Sequence, residues 1–395
     1  MLKTNTNKAK IDEILTRGVE EIINKKNLES KLLSGKQLRI KLGNDPTSPN
    51  IHIGRAILLW KLRSFQELGH KVIFIIGDFT GIIGDTSDKD SERPMLSKAQ
   101  IKKNVKTYFS QVFKILDKKN TDIYYNSKWL KKINLQELGE MADLFSLHEF
   151  EARENIARRM KAGKRVSLRE VLYPLMQGYD SVVIKADVEI GGTDQKFNLL
   201  SGRTIQKAYK QKPQDILTMT LIEGLDGRKM SSSWDNTINL LDSPGEMFGK
   251  IMSLQDKLIK KYFTLCTRLS QDKIKTIVKK EPRDAKIKLA KEIISLYYGK
   301  EKAKNAKQEF IKIFSRKKPP TKIKTVKLKT KSLRLIDLLV KVKLASSNGD
   351  ARRLIRQGGV KINNKKKTDP QETINLSKQI LIQVGPRRFV KVSKF

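Results

Sequence analysis

Cysteine is nearly missing from this chain: Cys266 is the single one in 395 residues. One thiol excludes an internal disulfide and a cysteine-based zinc site, and it fits a reducing, cytoplasmic setting. Cys266 sits in an apolar, helical stretch (YFTLCTRL) and reads as core. Proline is scarce as well, with 11 residues, and hydrophobic residues make up 38%, so the chain reads as globular rather than disordered. No apolar run reaches 18 residues, so no membrane span is expected. The opening MLKTNTNKAKIDEIL lacks the apolar core of a signal peptide. Acidic residues are the remaining shortage, 42 against 82 basic ones, for a net charge of +40. A field of that size favours a polyanionic partner and salt-dependent binding. Much of the excess is lysine spread along the whole chain. The concentration that matters lies in residues 331–395, with 16 basic against 4 acidic side chains.

Residues 38–44 alternate in polarity and run into the turn signal Asp45-Pro46-Thr47. From Gly54 to Leu68, Ala56, Leu59, Trp60, Leu62 and Phe65 recur at helical spacing, and Gly69 ends the helix. Residues 71–78 (KVIFIIGD) form a near-continuous apolar strand. Strand, helix and buried strand in about forty residues make a βαβ unit and predict a parallel sheet. Its ligands belong at the carboxyl ends of the strands, which are the polar segments Gly43–Arg55 and Gly77–Arg93. Residues 97–118 and 135–162 read as helical, and 122–125, 187–191 and 215–222 as further strands. Beyond Asn236 the pattern is helical over 244–252, 257–265, 271–279, 284–298 and 303–314. The stretch 315–331, with Pro-Pro and a lysine run, reads as a linker.

Two segments carry chemistry. Pro49-Asn50-Ile51-His52-Ile53-Gly54-Arg55 opens the first long helix, whose N-terminus suits phosphate. His52 can hydrogen-bond phosphate oxygens, Gly54 lets the backbone approach a nucleotide, and Arg55 adds a permanent cation. Far downstream, Glu223-Gly224-Leu225-Asp226-Gly227-Arg228-Lys229-Met230-Ser231-Ser232-Ser233 reads as a mobile loop in which Lys229 can reach phosphates. Each alone is ambiguous: a histidine at a helix start is commonly a cap, and a serine-rich loop commonly a solvated turn.

Together the two resemble the paired signatures of class I aminoacyl-tRNA synthetases, His-Ile-Gly-His and Lys-Met-Ser-Lys-Ser, in the same order and after the same strands. Between them, Tyr173-Pro174-Leu175-Met176-Gln177-Gly178-Tyr179-Asp180 and Gly191-Gly192-Thr193-Asp194-Gln195-Lys196-Phe197-Asn198 are similar to the amino-acid pocket of tyrosyl-tRNA synthetases. Residues 77–85 (GDFTGIIGD) match that family's second-strand segment. Over roughly residues 35–395 the chain resembles the bacterial subgroup whose first strand reads KLGxDPT. The resemblance implies an α/β fold with a Rossmann-like parallel-sheet nucleotide-binding domain over 1–236, interrupted by a helical connective segment at about 118–185. A helical anticodon-binding domain over 237–314, the linker 315–331 and a small α+β RNA-binding domain over 332–395 then follow.

The same resemblance implies roles. Asp180 is expected to accept the phenol hydroxyl of tyrosine. A hydroxyl-reading site of this kind rejects the analogue lacking the hydroxyl by ~10⁴–10⁵, a span for which tyrosyl enzymes are themselves the reference case. Tyr173, Gln177 and Asp85 are expected at the substrate ammonium, Gln195 near its carboxylate, and Lys41 at the phenol end. Asp194 is expected at the ATP ribose. Asp45, Thr47, His52, Gly54, Gly192, Lys229, Met230, Ser231, Ser232 and Ser233 are expected around the rest of ATP, with Lys89 and Arg93 as mobile-loop cations closing over pyrophosphate. Mg²⁺ is expected with ATP, without a protein-bound metal site. The implied catalysts are cations and donors, namely His52, Thr47, Arg55, Lys89, Arg93 and Lys229, rather than an acid–base pair.

Three positions depart from the family pattern: Arg55 replaces the second histidine, Ser232 replaces the second lysine of the loop, and Lys41 stands where the other bacterial subgroup has a tyrosine.

In the C-terminal segment, Leu335, Leu338, Leu339 and Val342 form a helical face. Residues 346–360 (SSNGDARRLIRQGGV) give a capped helix ending at Gly358-Gly359 before a strand. This resembles the RNA-binding domain of the S-four type. Arg352, Arg353 and Arg356 fall on one helix face, and Arg387 and Arg388 add charge, suited to RNA phosphates and shape. The expected partners are tRNA(Tyr), L-tyrosine, ATP and a second copy of the chain in a homodimer. The alternatives are a tryptophanyl-type relative and a non-catalytic RNA-binding descendant. A dinucleotide-binding oxidoreductase is disfavoured, since no G-x-G-x-x-G follows the first strand.

Overall fold

A computed structural model describes residues 4–86, 95–314, 323–385 and 388–394. The chain divides into two compact units, residues 1–299 and 300–395.

The first unit is built on a six-stranded sheet of β1 (Val19–Ile23), β2 (Arg39–Asn44), β3 (Lys71–Ile76), β4 (Thr121–Tyr125), β5 (Val188–Gly192) and β6 (Asp215–Met219), in the spatial order β1-β6-β5-β2-β3-β4. All neighbours run parallel except β1, which closes one edge antiparallel to β6. The apolar run on β3 is buried on both faces, and so are β5 and β6, as helices covering both sides of a parallel sheet require. Sequence order reverses between β2 and β5, which places the topological switch point, and the crevice for a ligand, at the carboxyl ends of these two strands.

The first long helix covers Ile53–Glu67 and buries Ile53, Ala56, Ile57, Leu59, Leu62 and Phe65. Gly69 follows in the left-handed region at φ +89°, the conformation a helix stop requires. Helix Leu168–Ile184 is opened by Ser167 and Glu170 in a reciprocal capping box, and it carries Pro174 in its interior. The segment expected to be helical over 135–162 is three short helices, Leu135–Asp143, Leu147–Glu151 and Glu154–Lys161. Strand β6 ends at Met219, three residues before its apolar run does, and residues 220–222 lead on into the loop. Helices Pro244–Met252, Ile259–Cys266, Gln271–Ile277 and Pro282–Tyr298 complete the unit, and Cys266 is buried.

The second unit holds helix Lys300–Phe314 and a small α+β fold with a core of its own. Its strands are β7 (Thr325–Leu328), β8 (Ser332–Arg334), β9 (Val360–Ile362), β10 (Lys365–Lys367), β11 (Thr373–Asn375), β12 (Ile380–Val384) and β13 (Arg388–Lys394). Five of them form the sheet β10-β9-β12-β13-β7, and β11 pairs with β8. Residues 325–328, read above as linker, are tied into this sheet by parallel pairing with β13, and Leu328 is buried beneath the lysines that disguise the strand. Asn363 and Asn364, both at positive φ, make the tight turn between β9 and β10. Helices Leu335–Lys341 and Asn348–Arg356 pack on the sheet side, the second capped by Ser347, which accepts from the Asp350 amide. No helix among the described residues is long and apolar enough to cross a membrane.

Candidate active site

The carboxyl ends of β2, β3, β5 and β6 open into a cavity of about 780 Å³. Two loops far apart in sequence form its phosphate-suited end. His52 caps helix Ile53–Glu67, its Nδ1 accepting from the Arg55 amide at 3.3 Å. With Nδ1 an acceptor, the neutral ring carries its proton on Nε2. Arg55 donates to Tyr108 Oη at 3.1 Å and Thr47 Oγ1 at 3.4 Å, so its guanidinium is held beside Thr47. The helix start is fixed from the other side by residues that follow the Lys-Met-Ser segment. The Ile53 amide donates to Ile238 O at 2.8 Å, and the Leu240 amide to Ile51 O at 2.9 Å.

The loop itself is pinned by Asn236. Its Nδ2 donates to Asp226 Oδ1 at 2.7 Å and Lys229 O at 3.0 Å, and its Oδ1 accepts from the Ser231 amide at 2.8 Å. Lys229 Nζ rests on Asp194 Oδ2 at 2.9 Å, where β5 ends. A side chain at Gly192 would put its Cβ 2.4 Å from Asp194 Oδ1, so the glycine is required for this close approach.

The rest of the lining carries a further set of hydrogen-bonded polar groups. Tyr173 Oη donates to Asp45 Oδ2 at 3.0 Å, and Thr80 Oγ1 to Asp45 Oδ1 at 2.7 Å. Gln195 Nε2 donates to Asp85 Oδ2 at 2.7 Å. Asp180, 3% exposed, accepts from Trp129 Nε1 at 2.7 Å and Asn126 Nδ2 at 3.3 Å. Burial pushes the Asp180 carboxyl up to about 7, against the charge of Lys41 and the two hydrogen bonds, which act to lower it. Burial likewise raises the Tyr173 phenol well above its ordinary range, and the Asp45 charge adds to the effect.

Asp45, Thr47, His52, Gly54, Arg55, Asp85, Tyr173, Gln177, Asp180, Gly192, Asp194, Gln195, Lys229, Met230 and Ser231–Ser233 all line this one cavity. Lys41 does not: its ammonium lies behind the wall against Glu189, at 2.8 Å. Lys89, Arg93 and Arg387 lie outside the described residues. Arg352, Arg353, Arg356 and Arg388 are exposed on the second unit. Arg353 is bonded to Asp350 at 2.6 Å, and Arg388 to Leu344 O at 2.7 Å. Among the described residues no group of three or more His, Cys, Asp and Glu side chains could hold a metal ion. Sequence reasoning missed Asn126, Trp129, Glu189 and Asn236. For Asn126 and Trp129 a signal existed, since they follow β4 at the same carboxyl edge as the other polar segments.

Comparisons with known proteins fit this geometry. Residues 33–315 match the family of class I tRNA synthetases described as W and Y, and residues 317–384 match a "Tyrosine--tRNA ligase SYY-like C-terminal domain". The chain is 45% identical to Tyrosine--tRNA ligase 2 of Clostridium acetobutylicum, over 97% of this chain and 98% of that one. It is 44% identical to Tyrosine--tRNA ligase of Aquifex aeolicus, over 96% and 97%. Among solved structures, tyrosyl-tRNA synthetase of Archaeoglobus fulgidus, complexed with L-tyrosine, shares the fold with a TM-score of 0.61 at 21% identity, covering 76% of this chain and 99% of that one. A nucleotide-suited cavity at the switch point of a parallel sheet, closed by these two loops, is therefore that of a class I aminoacyl-tRNA synthetase. Within that class, the chain belongs to the tyrosyl-tRNA synthetase family.

Proposed function

We propose that this chain activates L-tyrosine with ATP to tyrosyl-adenylate plus pyrophosphate, then transfers the tyrosyl group to the 3′-terminal adenosine of tRNA(Tyr). One observation carries the reading: a buried carboxylate, Asp180, lines the same cavity as His52 and Lys229. A phenol hydroxyl bound at Asp180 leaves the substrate carboxylate directed toward the nucleotide loops. Tyr173, Gln177 and Asp85 would accept from the substrate ammonium, Gln195 would hold the carboxylate side, and Asp194 the ribose.

The tyrosine carboxylate attacks the α-phosphorus in line, the bond to the β-phosphate oxygen breaks, and pyrophosphate leaves. No side chain has to gain or lose a proton in this step. His52, Thr47 and Lys229, with Arg55 behind Thr47 and Lys89 and Arg93 from the segment outside the described residues, would stabilise the charge that develops on the leaving group. Mg²⁺ arriving with ATP would share that charge. Each preorganised donor of this kind is worth roughly 2.7–4 kcal/mol. For Lys229 to reach phosphate it must leave Asp194, which frees that carboxylate for a ribose hydroxyl.

The exposed arginines of helix Asn348–Arg356 would engage tRNA phosphates, and residues 237–314 the anticodon arm. Leu135, Leu147 and Leu168 are exposed apolar side chains of the kind that a second copy of the chain would cover. The reduced, buried Cys266 accords with a cytoplasmic protein. The test is amino-acid-dependent ATP–pyrophosphate exchange with tyrosine, phenylalanine and tryptophan in parallel. Exchange with tyrosine alone is expected. Exchange with tryptophan instead would establish the tryptophanyl reading, and none with any of the three a non-catalytic relative.

A further inference from the structure

A lysine at the centre of a buried parallel sheet is costly unless fully paired. Lys41, 0% exposed, sits on β2 in register with Glu189 on β5, itself 1% exposed. The three protons of the Lys41 ammonium have three acceptors: Glu189 Oε1 at 2.8 Å, Ser181 Oγ at 2.7 Å and Gln177 O at 2.9 Å. Glu189 in turn accepts from Gln177 Nε2 at 3.2 Å and Ser181 Oγ at 3.1 Å, and from Gln214. The pair thus grips helix Leu168–Ile184 on the turn that bears Gln177 and Asp180. Glu189 and Asp180 also border the cavity, whereas Lys41 stands behind it.

We propose that the Lys41–Glu189 pair is a specificity-determining element of the tyrosine site, which locks the helix presenting Gln177 and Asp180 and keeps Asp180 in the anionic form that accepts the phenol hydroxyl. The proposal rests on the tyrosine-activating reading above. Lys41 is a positioning residue here, since it reaches the phenol only through Asp180. The charged and titratable groups facing Asp180 are Lys41 from β2, Glu189 from β5 and Tyr173 from its own helix, while Asn126 and Trp129 contribute neutral donors. Asp45 and Asp85 face the adjoining Tyr173. Without Lys41 two carboxylates would share a dry site, and like charges so placed drive one of them to take up a proton. A protonated Asp180 donates as well as accepts, and its preference for a hydroxyl over a bare ring is weaker than that of the anion.

The two partners therefore push the acid limb of the tyrosine kcat/KM profile in opposite directions. In pyrophosphate exchange between pH 5.5 and 9, Glu189→Gln, which keeps the shape but turns one acceptor oxygen into a donor, is expected to move that limb down by about one pH unit. At the acid end this is close to a tenfold gain relative to each enzyme's own plateau. The double variant Lys41→Met with Glu189→Gln is expected to move the limb back above that of the unmodified chain. In both, kcat at saturating tyrosine should shift less than kcat/KM, because the free enzyme sets the latter. A purely structural pair would lower activity equally at all pH values, and that result, or an unmoved limb in Glu189→Gln, overturns the proposal. Should the double variant fail to fold, the Glu189→Gln profile decides alone. Absence of tyrosine-dependent exchange in the unmodified chain would refute instead the reading on which the proposal stands.

Discussion

His52 and Asn239 face each other in an isolated antiparallel bridge, flanked by hydrogen bonds from Ile53 to Ile238 and from Leu240 to Ile51. The seam joins the start of the first long helix to the exit of the Lys-Met-Ser segment. It brings two distant sequence signatures to the lining of one cavity.

Lys229→Ala should separate binding from chemistry. The Lys229 ammonium rests on Asp194 at 2.9 Å. Tyrosine affinity by equilibrium dialysis should be unchanged, while stopped-flow adenylate formation slows by roughly 10²–10³, the loss of one preorganised donor. Equal rates would remove the loop from the mechanism.

Asn236→Ala tests the loop's hinge rather than its chemistry. It deletes hydrogen bonds to Asp226, Lys229 O and the Ser231 amide, each worth about 1 kcal/mol net. Adenylate formation is expected to slow by roughly tenfold or more, with the KM for ATP rising and that for tyrosine unaffected. A rate matching the unmodified chain would show that the loop needs no such staple.

Asp180→Asn should trade activity for stability in a pH-dependent way. The folded carboxyl lies at about 7 against an ordinary value of 3.8. A raised folded value means a stabilising contribution that is complete below the unfolded value and lost as pH climbs through the folded one. Between pH 5 and 8, denaturant titration should therefore show the unmodified chain losing stability relative to Asp180→Asn, by on the order of 1–4 kcal/mol. Preference for tyrosine over phenylalanine should collapse in the same variant. A stability difference that does not change with pH would contradict the buried, raised carboxyl.

Charge reversal at Arg352 and Arg356 should weaken tRNA binding and flatten its dependence on salt, because fewer phosphates are neutralised. Filter binding across a salt series measures this, with pyrophosphate exchange, which needs no tRNA, as the control. An unchanged salt slope would place the RNA contact elsewhere.

Much of this was legible in the sequence, for physical reasons that differ by element. Strand β3 announced itself as an unbroken apolar run, and helix Ile53–Glu67 through its apolar spacing and the stop at Gly69. The polar segments after β2 and β3 followed from the rule that ligands sit at carboxyl ends. Edge strand β1 (VEEII) escaped because its glutamates mask the alternation, and β7 because lysines flank its half-buried Val326 and buried Leu328. Lys41 read as a phenol contact because it stands where the other bacterial subgroup has a tyrosine. Its pairing with Glu189 depends on the register between two strands nearly 150 residues apart, which no local pattern encodes. Asn236 was equally invisible, since a loop staple is defined only by the loop it closes.

The claim at the centre is that one cleft holds the phenol at Asp180 and the triphosphate between His52 and Lys229. A crystal structure with L-tyrosine and a non-hydrolysable ATP analogue tests it most directly. The account predicts the phenol oxygen within hydrogen-bond distance of an Asp180 carboxylate oxygen, the substrate carboxylate facing the α-phosphorus, and the β- and γ-phosphates contacted by His52 and Lys229. A triphosphate bound away from either residue, or a tyrosine ring pointing away from Asp180, would contradict it.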